Sequence, residues 1–383
     1  MSRPPLLLHA VSSFAVGGAQ VRLAAVANRY PRAWRHAIVA MDGNLECRER
    51  LSPELEVSFP DVGIRKGDTL GNALRCRRVL RELRPHALVT GNWGAIEWAI
   101  ANAFPLARHI HTEDGFGPEE RNGQLPRRVL MRRIFLRRAT VVLPSRTLWR
   151  IASGVWRLDP ARLRYIPNGI DLARFAAPVA ADREEPVIGC VAALRAEKNL
   201  FRLLRAFRLV ADEMPARLVI VGDGPQRGEL EALAGALGLG ARVLFTGHVA
   251  EPQRLYAGFD IFALPSDTEQ MPMTVLEAMA ASLPVAATDV GDIKDMLAAE
   301  NRFFLTPRDD AALAGALVSL LRQPGLRRAV GAANRARAER DYDQETMFRA
   351  WRALFDGERS EFAAQAGVLP ESRPAPVTTP RAS

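Results

Sequence analysis

Lysine is nearly absent from this chain. Lys66, Lys198 and Lys294 stand alone among 52 basic residues, and the rest are arginine. Cysteine is as scarce. Cys47, Cys76 and Cys190 are odd in number and widely spaced, which excludes a disulfide framework or a zinc site and fits a reducing cytoplasm. No apolar run is long enough to span a bilayer. The opening "MSRPPLLLHAVSSFAVGGAQ" has the outline of a weak signal peptide, but His9 and the serines break its apolar run. It continues into a glycine loop and a helical pattern, so it reads as a first buried strand. A dinucleotide G-x-G-x-x-G is missing, which argues against a nicotinamide cofactor.

What is present describes an ordinary globular protein, 48% hydrophobic and 25% charged, and 383 residues are long for one core. Two domains are the natural expectation. The net charge of +9 suggests an anionic partner. Its densest basic stretch, "RRVLMRRIFLRR" (127–138), spreads arginines and apolar residues all round a helix. It reads as a partly exposed helix near a phosphate-bearing surface and is compatible with peripheral contact at the inner face of a membrane. Nucleic acid is not expected, because no basic patch interleaved with aromatics accompanies it.

Short apolar runs alternate with helical patterns twice. "LLLHAV", "RHAIVAM", "HALVT", "RHIHT", "TVVLPS" and "LRYIPN" read as strands of one unit; "VIGCVAAL", "RLVIVG", "RVLFTG", "DIFALPS" and "PVAATD" as strands of another. The fold class is α/β, with two doubly wound Rossmann-like domains facing across a cleft. The first domain is expected over 1–175, a linker over 176–186 and the second domain over 187–340. A C-terminal helix at 341–365 is expected to return to the first domain, before a disordered proline-rich tail at 366–383. Open sheets of this kind bind ligands where their strands end, so site residues are sought in the loops that follow strands.

Those loops hold the candidates. "SFAVGGAQ" sets Gly17 and Gly18 at a helix start, where backbone N–H groups meet anions. "AALRAEKNL" offers Arg195 and Lys198 to a diphosphate, and a lysine in an arginine-rich chain argues for a compact point charge. "RHIHTEDGFG" puts His109 and His111 on one strand face, with Glu113 and Asp114 beyond; one ring is expected to be packed and the other to reach the cleft. No third metal ligand has a fitting spacing. "DYD" (341–343) is the only D-x-D and reads as a helix N-cap. "EQMPMTVLE" (269–277) places Thr274 and Glu277 at capping-box spacing, with Glu269 eight residues before Glu277.

Taken in order, "GGAQ", "YIPNGID" (165–171), "RAEKN" (195–199), "VGDGP" (221–225), "FTGHV" (245–249) and "PSDTEQMPMTVLEAMAASLPVAATDVG" (265–291) resemble the retaining, nucleotide-sugar-dependent glycosyltransferases of the GT-B fold, family 4. The resemblance extends from "GGAQ" to about residue 356. It implies that Glu269 and Glu277 form the E-x7-E motif, the first touching donor sugar hydroxyls and the second the nucleotide ribose. It places Gly17 and Gly18 near the donor phosphate, His111 beside the reacting sugar and Lys198 on the diphosphate. Gln270, Met271, Pro272, Met273 and Thr274 then line the donor site with Arg195. Three positions depart from the family pattern: Ala193 stands where an arginine is usual, with Arg195 two residues on as its substitute. Gln270 and Asp292 replace glycines.

The resemblance implies a transferase that moves a sugar from a nucleoside-diphosphate sugar to an acceptor hydroxyl with retained configuration. His111, Glu269 and Lys198 would serve catalysis, no metal or other cofactor is expected, and the acceptor would be a cell-surface glycan or glycolipid. A non-catalytic sugar-nucleotide-binding relative and an epimerase of the same fold are the alternatives. Ala193 and Gln270 favour the former, whereas Lys198 with both glutamates opposes it.

Overall fold

A computed structural model describes residues 3–120, 123–175 and 183–358. The strands of the first sheet are β1 (Leu6–Val11), β2 (Arg35–Ala40), β3 (Val57–Ser58), β4 (Ala87–Gly91), β5 (Arg108–Thr112), β6 (Thr140–Leu143) and β7 (Leu163–Tyr165). They lie in the order β3-β2-β1-β4-β5-β6-β7, all parallel. Its helices are α1 (Gly18–Arg29), α2 (Thr69–Leu83), α3 (Ile96–Ala101), α4 (Pro126–Phe135) and α5 (Arg146–Arg150).

The second sheet contains β8 (Val187–Val191), β9 (Arg217–Val221), β10 (Val243–Gly247), β11 (Ile261–Leu264), β12 (Val285–Thr288) and β13 (Leu305–Thr306). Their order is β10-β9-β8-β11-β12-β13, again all parallel. Helices α6 (Leu200–Glu213), α7 (Arg227–Ala236), α8 (Gln253–Tyr256), α9 (Met273–Ala280) and α10 (Ile293–Met296) accompany it. The chain then runs through α11 (Asp310–Arg322), α12 (Pro324–Asp341) and α13 (Gln344–Asp356).

Central strands of a parallel sheet are covered on both faces, which is why β1, β4, β11 and β12 are near-continuous apolar runs. The helices follow the same logic. Leu200, Leu203, Leu204, Phe207 and Val210 recur on one face of α6 and are fully buried, each contributing about 1.5–3 kcal/mol of transfer free energy. Asn199 caps α6 through its side chain, in the left-handed conformation that asparagine tolerates. Both expected sets of strands are found. The two-residue β3 and β13 were not expected, because two residues cannot display a period.

The last helix crosses back. Met347, Phe348, Trp351, Leu354 and Phe355 of α13 pack into a core with Leu7, Val26 and Ile110 of the first domain. Arg108 donates to the carbonyls of Leu354 and Phe355, and Trp34 Nε1 donates to Asp356 at 3.0 Å. Asp343 caps α13 by accepting from Thr346 N–H, the role that "DYD" suggested. Residues 176–182 of the expected linker, the end of the expected C-terminal helix and the tail at 366–383 lie outside the described residues. Among the described residues, no helix is long and apolar enough to cross a membrane.

Candidate active site

The loops after β8 and β11 meet at the carboxyl edge of the second sheet. Lys198 Nζ donates to Glu269 Oε1 at 2.6 Å, and Ser266 Oγ donates to the same oxygen at 2.7 Å. The lysine side chain is 24% exposed and the glutamate 8%, so the pair borders solvent without being immersed in it. Beneath it, Asp267 accepts from Asn199 and Arg202, and its own N–H donates to Glu197 O. This ties the lysine loop to the glutamate loop. Two glycines explain how closely the neighbouring loops pack. A Cβ on Gly222 would lie 2.0 Å from Ala192 O, and one on Gly291 would lie 2.1 Å from Glu269 O, both against backbone. Each glycine also has positive φ.

Glu277 lies apart from that pair, and its capping box is not formed. Helix α9 begins at Met273 after Pro272, with no side-chain cap, so Thr274 and Glu277 stand inside the helix rather than at its N-cap and third position. The proline, with φ of −67° and ψ of 124°, turns the chain into the helix. Glu277 instead accepts from the Tyr256 hydroxyl at 2.5 Å. Burial raises its pKa, against the lowering effect of the Tyr256 hydrogen bond. Tyr256 is fully buried, which pushes its phenol well up.

On the first sheet, register brings a hydroxyl between two imidazoles. Leu88 pairs with His109 and Thr90 with His111, and Thr90 Oγ1 lies 2.9 Å from His109 Nε2 and 2.8 Å from His111 Nδ1. Both rings are buried, contrary to the expectation that one reaches the cleft; His111 is 1% exposed. Burial lowers the His109 pKa to about 3, with His111 as a second cause. His111 Nε2 has no hydrogen-bond partner and faces Glu113 Oε2 at 3.6 Å.

Glu113 is itself held by Arg132 at 3.0 Å, and Arg132 also pairs with Glu120 at 3.2 Å. The basic helix thus differs from its sequence reading. Arg132 turns inward at 1% exposure, with its guanidinium over the rings of Trp93, Phe116 and Trp156. A buried guanidinium needs these partners, because an unpaired one would be prohibitively desolvated.

Between the domains runs a polar seam. Asn168 N–H and Nδ2 approach Met271 Sδ and O at 3.3 Å, and Ser145 Oγ donates to Gln270 Oε1 at 3.4 Å. Asp292 accepts from the backbone N–H groups of Arg146 and Thr147, the latter at 2.9 Å, and so caps α5 from the other domain. In the sequence Asp292 stands out only as a missing glycine, and its partners lie about 145 residues away. Arg22 binds both Asn168 and Asp114 at 2.7 Å.

The remaining candidates take separate places. Gly17 is the N-cap of α1 and Gly18 its first residue, with open space around the position a Gly18 Cβ would take. Arg195 is exposed at the start of the lysine turn, Pro272 and Met271 are buried, and Met273 packs at the edge of the second-domain core. Lys198 and Glu269 are therefore brought together, with Gln270 and Met271 beside them at the seam. Glu277, half-buried against Tyr256, and the buried His111 are held in separate settings. Among the described residues, no group of three or more metal-ligating side chains occurs.

Two family models match consecutive stretches of the chain: "Glycosyltransferase Family 4" over residues 16–174 and "Glycosyl transferases group 1" over 173–337. A 2-deoxystreptamine N-acetyl-D-glucosaminyltransferase of Streptomyces fradiae is 31% identical over 236 residues, 56% of this chain and 55% of the relative. A sulfoquinovosyl transferase of Arabidopsis thaliana is 34% identical over 185 residues, 46% of this chain and 33% of the relative. The chain thus spans a third to just over a half of these two relatives' lengths. Among solved structures, HepE of Anabaena in complex with UDP superimposes with a TM-score of 0.77 at 19% identity, covering 92% of this chain and 99% of that one. Sucrose-phosphate synthase of Thermosynechococcus elongatus gives 0.75 at 21% identity, covering 92% and 100%. The structures carry the fold and the family models carry the kinship: the chain is a GT-B-fold protein that resembles the glycosyltransferases of family 4.

Proposed function

We propose that this protein transfers a glycosyl group from a nucleoside-diphosphate sugar to an acceptor hydroxyl, with retention of anomeric configuration. The observation that carries this reading is the Lys198–Glu269 pair, 2.6 Å apart and partly open to solvent at the carboxyl edge of the second sheet. The names of similar proteins support the donor class, since HepE was solved with UDP and with UDP-glucose.

In this reaction the bond from the anomeric carbon to the diphosphate oxygen breaks, and the acceptor oxygen bonds to the same face of that carbon. The acceptor's proton moves to the departing phosphate oxygen, so no separate base is needed. Lys198, with Arg195 and the N-terminus of α9, stabilises the charge that develops on the diphosphate. Glu269 holds sugar hydroxyls and fixes the anomeric carbon against its acceptor. Glu277 takes the ribose, and His111, whose buried ring lies between Thr90 and Glu113, acts from the first domain by positioning these neighbours. The chemistry draws its positive charge from the chain and needs no metal; the acceptor is a glycan or glycolipid.

The test is a thermal-shift panel of UDP, GDP, ADP and dTDP, followed by transfer from the matching sugar nucleotides in excess EDTA. The anomeric configuration of the product is read by NMR. Stabilisation by one nucleotide and a retained anomer formed under chelation are expected. An inverted product would overturn the retaining reading, and activity lost in EDTA but restored by Mg²⁺ would overturn the metal-free one.

A further inference from the structure

Nine buried side-chain N or O atoms among the described residues have no hydrogen-bond partner, and four belong to residues around one cavity. They are His9 Nδ1, His36 Nε2, Asp114 Oδ2 and Trp351 Nε1. Buried polar atoms are normally satisfied, so four such orphans around one space point to an occupant that satisfies them. The space between atoms there is about 630 Å³ with open solvent included, of which about 50 Å³ admits the centre of a water-sized molecule. It starts at the strand ends, by Gly91 and Asn92, and runs beneath α1 to His9 and His36. Helix α13 contributes Trp351 to its wall.

The two deep histidines define what fits. Leu7 of β1 is level with His36 of β2, so His9 lies two residues farther along the same face. His9 Nε2 and His36 Nδ1 are 3.0 Å apart, with the rings stacked at 23°. One proton occupies that bond. Whichever ring donates it, one of the two outward nitrogens carries a proton and the other a lone pair. A hydroxyl group, which both donates and accepts, matches such a pair. Burial keeps both rings neutral, holding His36 at about 4 and His9 well below its ordinary range.

The occupant must also carry no anionic group. Among the described residues, Arg22 is the only arginine or lysine lining the cavity, and it is already bound to Asp114 Oδ1 and Asn168 Oδ1, each at 2.7 Å. A phosphate would meet the Asp114 carboxylate without a free cation. Val26 and Val89 supply apolar wall between the polar points, as the C–H faces of a sugar ring require.

We infer that this cavity is a subsite for a neutral polyhydroxylated ring, such as a hexose or cyclitol unit of the acceptor. Asp114 and the Trp351 indole N–H hold the ring near the mouth and wall, and the His9–His36 pair takes its deepest hydroxyl. Only the word "acceptor" rests on the transfer reading; the subsite itself rests on the cavity.

The experiment titrates the full chain, carrying ¹⁵N-labelled histidine and tryptophan, with glucose, N-acetylglucosamine and myo-inositol. Glucose 6-phosphate is the charged comparison, and nucleoside diphosphates are titrated in parallel. At least one neutral ring is expected to shift the His9, His36 and Trp351 resonances while leaving exposed His86 and His248 unmoved. Glucose 6-phosphate should leave all of them in place. Trp351→Phe and His36→Gln should each weaken the binding about three- to tenfold, the loss of one neutral hydrogen bond. If His36→Gln does not fold cooperatively, Trp351→Phe decides the point alone. Resonances unmoved by every neutral ring at tens of millimolar would mean that the cavity holds only water, and the inference falls. Ring binding without nucleotide binding would sink the transfer reading and leave the subsite standing; nucleotide binding without ring binding would do the reverse.

Discussion

Five of the six histidines belong to the first domain, and three of them, His9, His36 and His109, are buried with lowered pKa values. The second domain has only His248, which is exposed, and places Lys198 and Glu269 at its sheet edge instead. Two sheets with the same winding therefore hold different chemistry. Neutral rings with spare nitrogens suit hydroxyl groups, whereas an ammonium with a partly hydrated partner can exchange that partner for a diphosphate. The difference teaches that fold repetition does not imply site repetition. Each domain must be broken separately.

The largest effect should come from the charged side. Lys198→Ala is expected to cut kcat/KM for transfer by roughly 2–4 kcal/mol, as the loss of a charge-assisted contact to the leaving group would. Arg195→Ala should cost less, because Arg195 is exposed at the head of the turn. Steady-state transfer by both variants, with a melting temperature for each, checks this. Equal or reversed effects would move the diphosphate contact from Lys198 to Arg195.

Acid should break the first domain before the second. A histidine held neutral in the fold is protonated in the unfolded chain below its ordinary value of 6.5, so the unfolded state binds more protons there. Stability is then full above 6.5 and is lost as pH falls towards the folded value. For His36, whose folded value is about 4, the loss approaches roughly 3 kcal/mol. Tryptophan isolates this loss: Trp34, Trp93, Trp98, Trp149, Trp156 and Trp351 all lie in the first domain or on α13 packed against it. Urea midpoints from tryptophan fluorescence should fall between pH 7 and pH 5, and His36→Gln should flatten the trend. A midpoint independent of pH in wild type would show that these histidines are not buried as described.

The seam between the halves should respond more weakly. Asp292→Ala removes a carboxylate from two backbone N–H groups of α5, at a cost of about 0.5–2 kcal/mol. It also removes a tie between domains, so the radius of gyration in small-angle scattering should rise. Asp292→Asn, which keeps an acceptor, should lie between. If Asp292→Ala changes neither radius nor stability, the seam does not depend on that side chain.

Much of this organisation is legible in the sequence because it is local. Strand runs, the glycine loops and the order of the motifs each occupy a few consecutive residues, and the parallel winding follows from their alternation. What was not legible depends on distance. Asp292 finds its partners about 145 residues away, and Tyr256 reaches Glu277 across 21 residues. Arg132 is indistinguishable from its neighbours in "RRVLMRRIFLRR" until the fold presents Glu113 and Glu120 to it. The capping box failed for another reason. Thr274 and Glu277 have the spacing, but Pro272 starts the helix at Met273, ahead of the threonine.

Glu277 gives the finest test, because its titration runs opposite to that of the histidines. Burial raises its pKa above the ordinary 4.5, so the folded chain holds a proton that the unfolded chain has released. From 4.5 up to the folded pKa, stability therefore falls as pH rises, and it is greater again on the acid side. Glu277→Gln keeps an oxygen for the Tyr256 hydroxyl, 2.5 Å away in wild type, but cannot titrate. The stability of the variant relative to wild type should thus climb with pH from about 4.5 and level off above the folded pKa. Tryptophan is blind to this domain, so urea midpoints must come from far-UV circular dichroism. In parallel, calorimetry with the nucleoside diphosphate chosen by the thermal-shift panel should show weaker binding to Glu277→Gln and unchanged binding to Glu269→Ala. A pH-independent difference would mean that Glu277 titrates like a solvated carboxylate. Unchanged nucleotide binding would remove it from the ribose, leaving Tyr256 as its only role.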